Sequence, residues 1–498
     1  MASIRRRLGS VGMLVCGLVA QSCAVQARTP DNAEDAHDQL VALVQAKQCD
    51  KALDLLARPA LAPLFQSGSD RARMEIDAIG LQCAFKTKRP DLQLKYAVAG
   101  TAFANASPYL WGARVFLAWQ AGDHAGAVTA IETMAQTAPG AINAIRIRLL
   151  SEMVRALYDG SETQLHRRLL KVLASPAYVP NQPGYSGDSF RIDYARVLAE
   201  DGDKAGAAEL LAHIREPRSL MGAAVDSRLR EFMPANFDAR AAVERHMAVM
   251  QAMASAHPDA QEPVISVAED YLALGEADQA IAVLQSVRPG SADGPKYVDQ
   301  DEQANWWWNT LARAYIDLNR YDDAVTAYRQ GVASGERGIA TNVSQAINLS
   351  ETQNRFGHYK EALHTLEPLL GPNAPISLFG RMQLVESHGC ASYRLGQVEA
   401  AKTDLALLRA HQDIAPRAIV ELEICMNDLD GAAADQIARL NQTEQHTAAL
   451  LELSTYAPSP LPVPPGMWKI GIEALKQRPD IQAAIQRAGG IRSFNIPG

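Results

Sequence analysis

The sequence predicts an all-α protein of stacked helix pairs, closed by a short helical cap at its C-terminus. Three observations predict it. Apolar residues recur at helical spacing: Trp308, Leu311, Ala312 and Tyr315 fall at i, i+3, i+4 and i+7. Past the tight turn Leu318-Asn319-Arg320, Tyr321, Ala324, Tyr328 and Val332 mark one face of a second helix. The same helix–turn–helix grammar then returns along the chain. Finally, 498 residues at 48% hydrophobic hold more core than one compact domain usually contains. An array that grows in one dimension escapes that limit, because each unit buries its apolar face on its neighbours.

Within Trp306–Gly338, small Ala312 and Ala324 let two helix backbones approach while large rings fill the flanking gaps. Trp308, Leu311, Ala312, Tyr315, Tyr321, Ala324 and Tyr328 fall at signature positions of the tetratricopeptide repeat, which this stretch resembles. Ala312 stands where that family often has Gly. The resemblance implies a right-handed α-α superhelix in which the first helices of successive repeats line a concave groove.

The chain begins with an expected signal peptide over residues 1–27. Arg5-Arg6-Arg7 supplies a positive start, Leu8 to Ala20 an apolar run, and Val25-Gln26-Ala27 small residues for cleavage. The apolar run is short for a membrane span, and no later segment approaches one. An alternative leader reading lipidates Cys23 after Ala20-Gln21-Ser22, although Gln21 fits that pattern poorly. The layout implies a periplasmic or secreted protein, or an outer-membrane lipoprotein on the Cys23 alternative.

Residues 28–260 read as degenerate helical repeats. Leu40, Leu43 and Val44 lead to Ala52, Leu55 and Leu56; Trp111, Val115 and Ala118 lead through Gly122 to Ala127, Ile131 and Met134. Ala195 and Leu198 lead through Gly202 to Ala207 and Leu211. Pro176–Ser189, rich in Pro, Gly and Tyr, is expected to break the helices and expose its rings. Residues 261–442 are more regular, with turns expected at Gly275, Asn319, Gly357, Gly396 and, in a weaker unit, near Gly431. Ala280, Ala324, Ala362 and Ala401 are 44, 38 and 39 residues apart, so longer helices or connections must absorb a surplus over 34. Pro289–Gln303 is a polar linker. Residues 443–498 hold the proline-rich Tyr456–Gly466, of polyproline character, then two short helices and an extended end that caps the last repeat.

Charge and motifs exclude more than they identify. The formal charge is −8; without residues 1–27, 45 basic residues face 56 acidic ones, a net of −11. That balance gives no footprint for nucleic acid. No HExxH, GxSxG, phosphate-binding loop or dinucleotide fingerprint occurs, so no catalytic residue, cofactor or metal site is assigned. Asp322 with Asp323, and Glu421 with Glu423, sit at ordinary helix-surface spacings, and a solvated face is the expected place for them. Beyond the leader, the cysteines are Cys49, Cys83, Cys390 and Cys425. The first two are 34 residues apart and the last two 35, about one repeat each. Two disulfides in an oxidising compartment and four buried thiols remain alternatives.

In Trp306-Trp307-Trp308, successive rings point about 100° apart, so they cannot share one buried face. The repeat register gives Trp308 the core position and leaves Trp306 or Trp307 for a linker contact or a groove. On the resemblance, the groove takes Trp306, Asn309, Arg313 and Asp317 from one repeat. Ile347, Glu351, Asn354 and Arg355 follow from the next, then Glu386, Tyr393 and Arg394. Their mixed charge does not assemble the basic clamp by which one branch of that family holds a C-terminal carboxylate. The expected function is a non-enzymatic scaffold of the bacterial cell envelope, binding a protein or peptide in the groove. The alternative is an envelope enzyme, acting on cell wall or polysaccharide, or its accessory subunit, with a site built across helices.

Overall fold

A computed structural model describes residues 30, 32–103, 105–289, 297–335, 342–371, 374–461 and 465–498. The expected signal peptide and Cys23 lie outside the described residues, as do positions 290–296 of the linker and 462–464 of the proline-rich segment. The fold is all-α. Five helix pairs come first: α1 (Ala33–Gln45) with α2 (Cys49–Leu56), then, after the short α3 (Ala62–Ser67), α4 (Asp70–Lys86) with α5 (Pro90–Gly100). α6 (Pro108–Gln120) pairs with α7 (His124–Thr137), and α8 (Pro139–Ile142) precedes α9 (Ile147–Asp159) with α10 (Thr163–Leu173). α11 (Asp188–Glu200) and α12 (Lys204–His213) complete the five.

Next come α13 (Pro217–Val225) and the long α14 (Ala239–Ala256). The regular array follows: α15 (Glu262–Ala273) with α16 (Ala277–Gln285), α17 (Gln300–Asp317) with α18 (Tyr321–Ala333), and α19 (Val343–Arg355) with α20 (Tyr359–Leu366). α21 (Leu378–Arg394) with α22 (Val398–Ala410) and α23 (Pro416–Cys425) with α24 (Leu429–Asn441) continue it. The chain ends with α25 (Thr443–Leu453), β1 (Thr455–Ala457), α26 (Met467–Lys476), α27 (Pro479–Arg487) and β2 (Ser493–Pro497), the two strands pairing in parallel.

One turn geometry unites ten of these pairs. Lys47, Lys88, Gly122, Ser161, Gly202, Gly275, Asn319, Gly357, Gly396 and Asn427 all have φ between 57° and 84°. At each, the next residue's N–H donates back to a carbonyl five residues earlier, at 2.8–3.0 Å. This left-handed residue with its long return bond closes the helix and reverses the chain. Gly431 does not hold the turn expected of it: Asn427 does, and Gly431 lies inside α24, its N–H donating to Oδ1 of the capping Asp428 at 3.0 Å. Gly126 and Gly206 stand likewise over Asp123 and Asp203, where a Cβ would strike the capping carboxylate. The turn makes a prediction. At Gly357 a Cβ would meet nothing, so Gly357→Ala should cost only the left-handed backbone penalty, about 1 kcal/mol. Lys88→Gly should gain a comparable amount, and denaturant midpoints check both.

The repeat alanines Ala280, Ala324, Ala362 and Ala401 are all fully buried at the helix crossings. The surplus in their spacing goes into long first helices, 18 residues in α17 and 17 in α21, and into the connection before α17. In the tryptophan run the structure departs from the register. Trp307, not Trp308, is the deepest ring: it is buried, and its Nε1 donates to the Leu284 carbonyl at 2.8 Å. Trp308 packs edge-on against it, half-buried, with centroids 4.6 Å apart. A helix sandwiched on two sides buries a wider arc than one stripe, so the neighbouring position also goes inside. The loop before α11 departs too. Tyr178 is buried rather than exposed, because it packs on Phe190 while the buried Arg191–Asp188 pair fixes the loop, Arg191 also donating to the Tyr178 carbonyl at 3.1 Å.

Two disulfides link neighbouring repeats. Cys49 of α2 joins Cys83 of α4, with Cα atoms 4.8 Å apart, and Cys390 of α21 joins Cys425 of α23, 5.6 Å apart. Asn342 is buried and caps α19 by accepting from the Gln345 N–H.

The chain divides into two compact units, one through Val197 and one from Leu198 to Gly498. In the first, apolar cores form around Leu40, Leu81 and Leu110 and around Trp111, Ile131 and Leu150. In the second, the C-terminal elements do more than cover the last repeat. Ile472, Leu475, Ile481 and Ile485 join one core with Val420, Ile424 and Leu440 of the last regular repeat and with Met221, Val225 and Val243 of α13 and α14. Thr447 of α25 donates to the buried Asp226 at 3.0 Å, Arg492 donates to the Ala224 carbonyl, and Asn495 bonds Asp238. The start of this unit therefore lies against its end.

Candidate functional site

The first helices α15, α17, α19, α21 and α23 stand side by side, and their charged residues form one connected wall. Trp306, on the exposed arc of α17, is 55% accessible. Seven residues on, Arg313 pairs with Glu269 of α15 at 3.2 Å. Burial raises the Asp317 carboxyl, against the pull of Arg313 and of Arg355 from α19. Glu351 and Arg355 are both exposed, and together with Arg313 they set the field around the buried Tyr328 hydroxyl. The structure thus gathers Arg313, Asp317, Glu351 and Arg355 across two repeats.

Other groove candidates have structural partners. Asn309 is buried and accepts from Nδ2 of Asn348 at 2.8 Å. Asn354 is buried and donates to the Ser387 carbonyl and hydroxyl at 2.8 and 3.0 Å. Both are rungs between consecutive first helices, because a step of three residues from the open arc rotates the side chain into the next helix. Arg394 turns toward α20, where it donates to the Tyr359 hydroxyl at 3.2 Å and lies over its ring. Tyr393 is half-buried beside it.

The wall continues beyond the residues that repeat register placed on it. Arg417 of α23 pairs with Glu421 at 2.8 Å, reaches Glu452 of α25 at 3.6 Å and lies 4.8 Å from the Trp468 ring. Arg439, buried on α24, grips Glu452 with two bonds of 2.6 and 3.0 Å and donates to Gln436 at 2.7 Å. The signal available was Arg417 four residues before Glu421, which reads equally as a surface pair.

At the centre is Glu386. Its residue is 9% accessible, and burial first, then the negative charges of Glu421 and Glu351, raise its carboxyl well above the ordinary value, with only Arg417 opposing. Glu351 is open to water by its own surface, yet the protein around it depletes the solvent enough to raise its carboxyl as well. Glu421 is raised by the same desolvation, partly offset by Arg417. Among the described residues no three His, Cys, Asp or Glu are grouped so as to hold a metal ion. What the wall can do chemically is take up positive charge or present a proton.

Glu423 corrects the expectation of a solvated acid. It is fully buried on the opposite side of α23, where Arg409 donates to it, and desolvation together with a hydrogen bond to Asp435 pushes its carboxyl up to about 8. Glu262 on α15 is pushed up to about 7, mainly by burial and then by Glu269 and Asp299. The sign for stability follows. Between about pH 4.3, where an unfolded glutamate ionises, and these raised values, the folded chain holds protons that the unfolded chain has released. Stability then falls as pH rises through that window. The unit from Leu198 should show its highest melting temperature near pH 5 and lose several degrees by pH 8. Glu423→Gln should flatten that slope, which scanning calorimetry across the range measures.

Residues 308–334, the last part of α17 through α18, match the tetratricopeptide repeat family model. No curated protein matches the sequence. Among solved structures, the Cut9–Hcn1 hetero-tetramer of the APC/C is similar over 92% of this chain and 90% of its own, at 13% identity and a TM-score of 0.28. Yeast Tom70 is similar over 91% of this chain and 99% of its own, at 12% identity and a TM-score of 0.34. Among the described residues no helix is long and apolar enough to cross a membrane. The chain therefore carries one repeat that matches the tetratricopeptide family by sequence, set among helix pairs that share its turn geometry.

Proposed function

We propose that the protein is a non-enzymatic scaffold of the bacterial cell envelope that holds a partner protein or peptide on the charged wall of α17, α19, α21 and α23. One observation carries the reading: four successive first helices present charged groups on one connected surface, although their other polar side chains are spent on packing. Exposed Trp306 supplies an aromatic anchor on the same helix as Arg313, a residue type common among binding hot spots. Placement outside the cytoplasm is supported by the leader layout of residues 1–27. It is supported too by the pairing of all four remaining cysteines, since such bonds persist in oxidising compartments.

The test is quantitative capture from envelope extract by the full chain, its Trp306→Ala variant and its Arg355→Ala variant. The scaffold reading expects one partner, retained by the parent chain and reduced at least tenfold by either change. Equal recovery by all three would refute it. A second reading, an envelope enzyme, is favoured by the raised carboxyl of Glu386, the state that a general acid needs. Turnover of purified cell-wall material that Glu386→Gln abolishes would establish that reading instead.

A further inference from the structure

The proline-rich stretch after β1 has no role in the scaffold as described so far. Its two ends are built into the core of the unit. Thr455 and Tyr456 pair with Ser493 and Phe494 of β2, and Met467, the first residue of α26, packs against the cluster around Met382 and Leu422. Between those ends the stretch lies on the repeats. Pro460 sits on the turn from α15 to α16, where a Cβ added to Gly275 would strike its ring. Leu461 is half-buried against the core of α15 to α18, as are the rings of Tyr271, Tyr315, Tyr321 and Phe356. Gly466 lies against Arg355 at the end of α19, where an added Cβ would stand 3.5 Å from Arg355 Cγ and Nε. Trp468 follows, with Arg417 of α23 4.8 Å from its ring. These contacts therefore reach from α15 to α23 and include two arginines of the wall.

The hold is light. Pro458, Ser459, Pro460 and Pro465 are exposed. Among the described residues no hydrogen bond joins 458–461 or Pro465 to another element, and the Leu461 N–H donates within the stretch, to Ser459 Oγ at 3.2 Å. Gly466, at φ −66° and ψ 162°, keeps the polyproline conformation. Proline has no N–H to leave unpaired and a backbone already stiff, so such a stretch leaves a surface, or settles on one, at little cost. Aromatic-lined surfaces are where proline-rich segments dock. We propose that the surface over α15, α17 and α19 is a docking site for a proline-rich segment carrying a leucine. The chain's own Pro460, Leu461 and Gly466 fill it in the free protein, and a partner's segment enters by displacing them. The inference rests on the scaffold reading and names both the partner's chemistry and the contact that regulates its entry. Tethering at both ends gives the occupying residues a high effective concentration, so a free segment of the same chemistry competes poorly until the tethered one is weakened.

The probe is a fluorescent synthetic peptide with the sequence of residues 455–468. It is titrated into the full chain, its Leu461→Ser variant and its Pro460→Ser, Leu461→Ser double variant. The expected result is binding at least tenfold tighter to both variants than to the parent. Adding Arg355→Ala to the double variant should weaken that binding several-fold. A control peptide with its prolines and its leucine replaced by alanine should bind none of the proteins. Equal binding to parent and variants overturns the inference, as does no binding to any of them. A control peptide that binds as tightly as the probe overturns the proline-rich chemistry, and binding that ignores Arg355 overturns the site. Should either variant lose the melting transition of the unit from Leu198, the stretch is a fixed part of the core and the inference falls. None of these failures touches the scaffold reading, which capture from envelope extract by the parent and Trp306→Ala judges separately.

Discussion

A chain ending at Ser454 should fail to fold its C-terminal unit. The truncation removes Ile472, Leu475, Ile481, Ile485, Phe494 and Ile496, all buried in one core with Val420, Ile424, Leu440 and Leu453, which would be left facing water. At about 1.5–3 kcal/mol for each large apolar side chain, the gross loss is on the order of 10 kcal/mol before the ordering entropy of the segment is set against it. That is comparable with the whole stability of an ordinary domain. It also removes the Arg492 and Asn495 bonds to the start of the unit. Circular dichroism melting should show loss of one cooperative transition while the unit through Val197 keeps its own. If both transitions survive at their original temperatures, the joining of the unit's two ends is wrong.

Arg439→Ala should cost about 3–5 kcal/mol, the usual penalty for removing one partner of a buried ion pair. Arg439 is 2% accessible, and its loss leaves Glu452 without its bidentate partner and Gln436 without its donor. Arg417 cannot take over, since it lies 3.6 Å from Glu452 and is already paired with Glu421. By contrast, Arg439→Met with Glu452→Leu should recover most of the loss, because a buried pair replaced by apolar groups of similar volume is often neutral. Denaturant unfolding of the two variants measures this. A single change costing less than about 1 kcal/mol would show that the pair is solvated rather than buried.

How far the sequence spoke depends on what kind of contact each residue makes. The helix pairs of the regular array were legible, because Leu311, Ala312, Ala324 and Tyr328 face a continuous seam and periodicity reports such a seam directly. The turns at Gly122, Gly202, Gly275, Gly357 and Gly396 were legible for the same local reason. Lys47, Lys88 and Ser161 hold the identical left-handed turn but carry no compositional mark, so the pairs around Lys88 and Ser161 stayed hidden, and around Lys47 only the apolar spacing of the two helices spoke. The burial of Trp307 over Trp308 depends on how α16 packs against α17, which no single helix encodes. In the wall, Arg313, Asp317, Glu351, Arg355 and Glu386 followed from repeat register. Arg417, Glu421 and Glu452 did not, because their meeting depends on α23 and α25 being brought beside α19 and α21. The junction of α13 with α25 joins residues more than 200 positions apart and leaves no periodic trace.

The central claim is that a partner is held on the wall of first helices, and site-specific photocrosslinking in the cell envelope tests it most directly. A photoreactive phenylalanine replaces either Glu351, on the wall, or Glu399, an exposed residue in the first turn of the second helix α22. The account predicts a discrete adduct from position 351 and none from position 399. An adduct from 399 with none from 351 would place the partner elsewhere and contradict the claim.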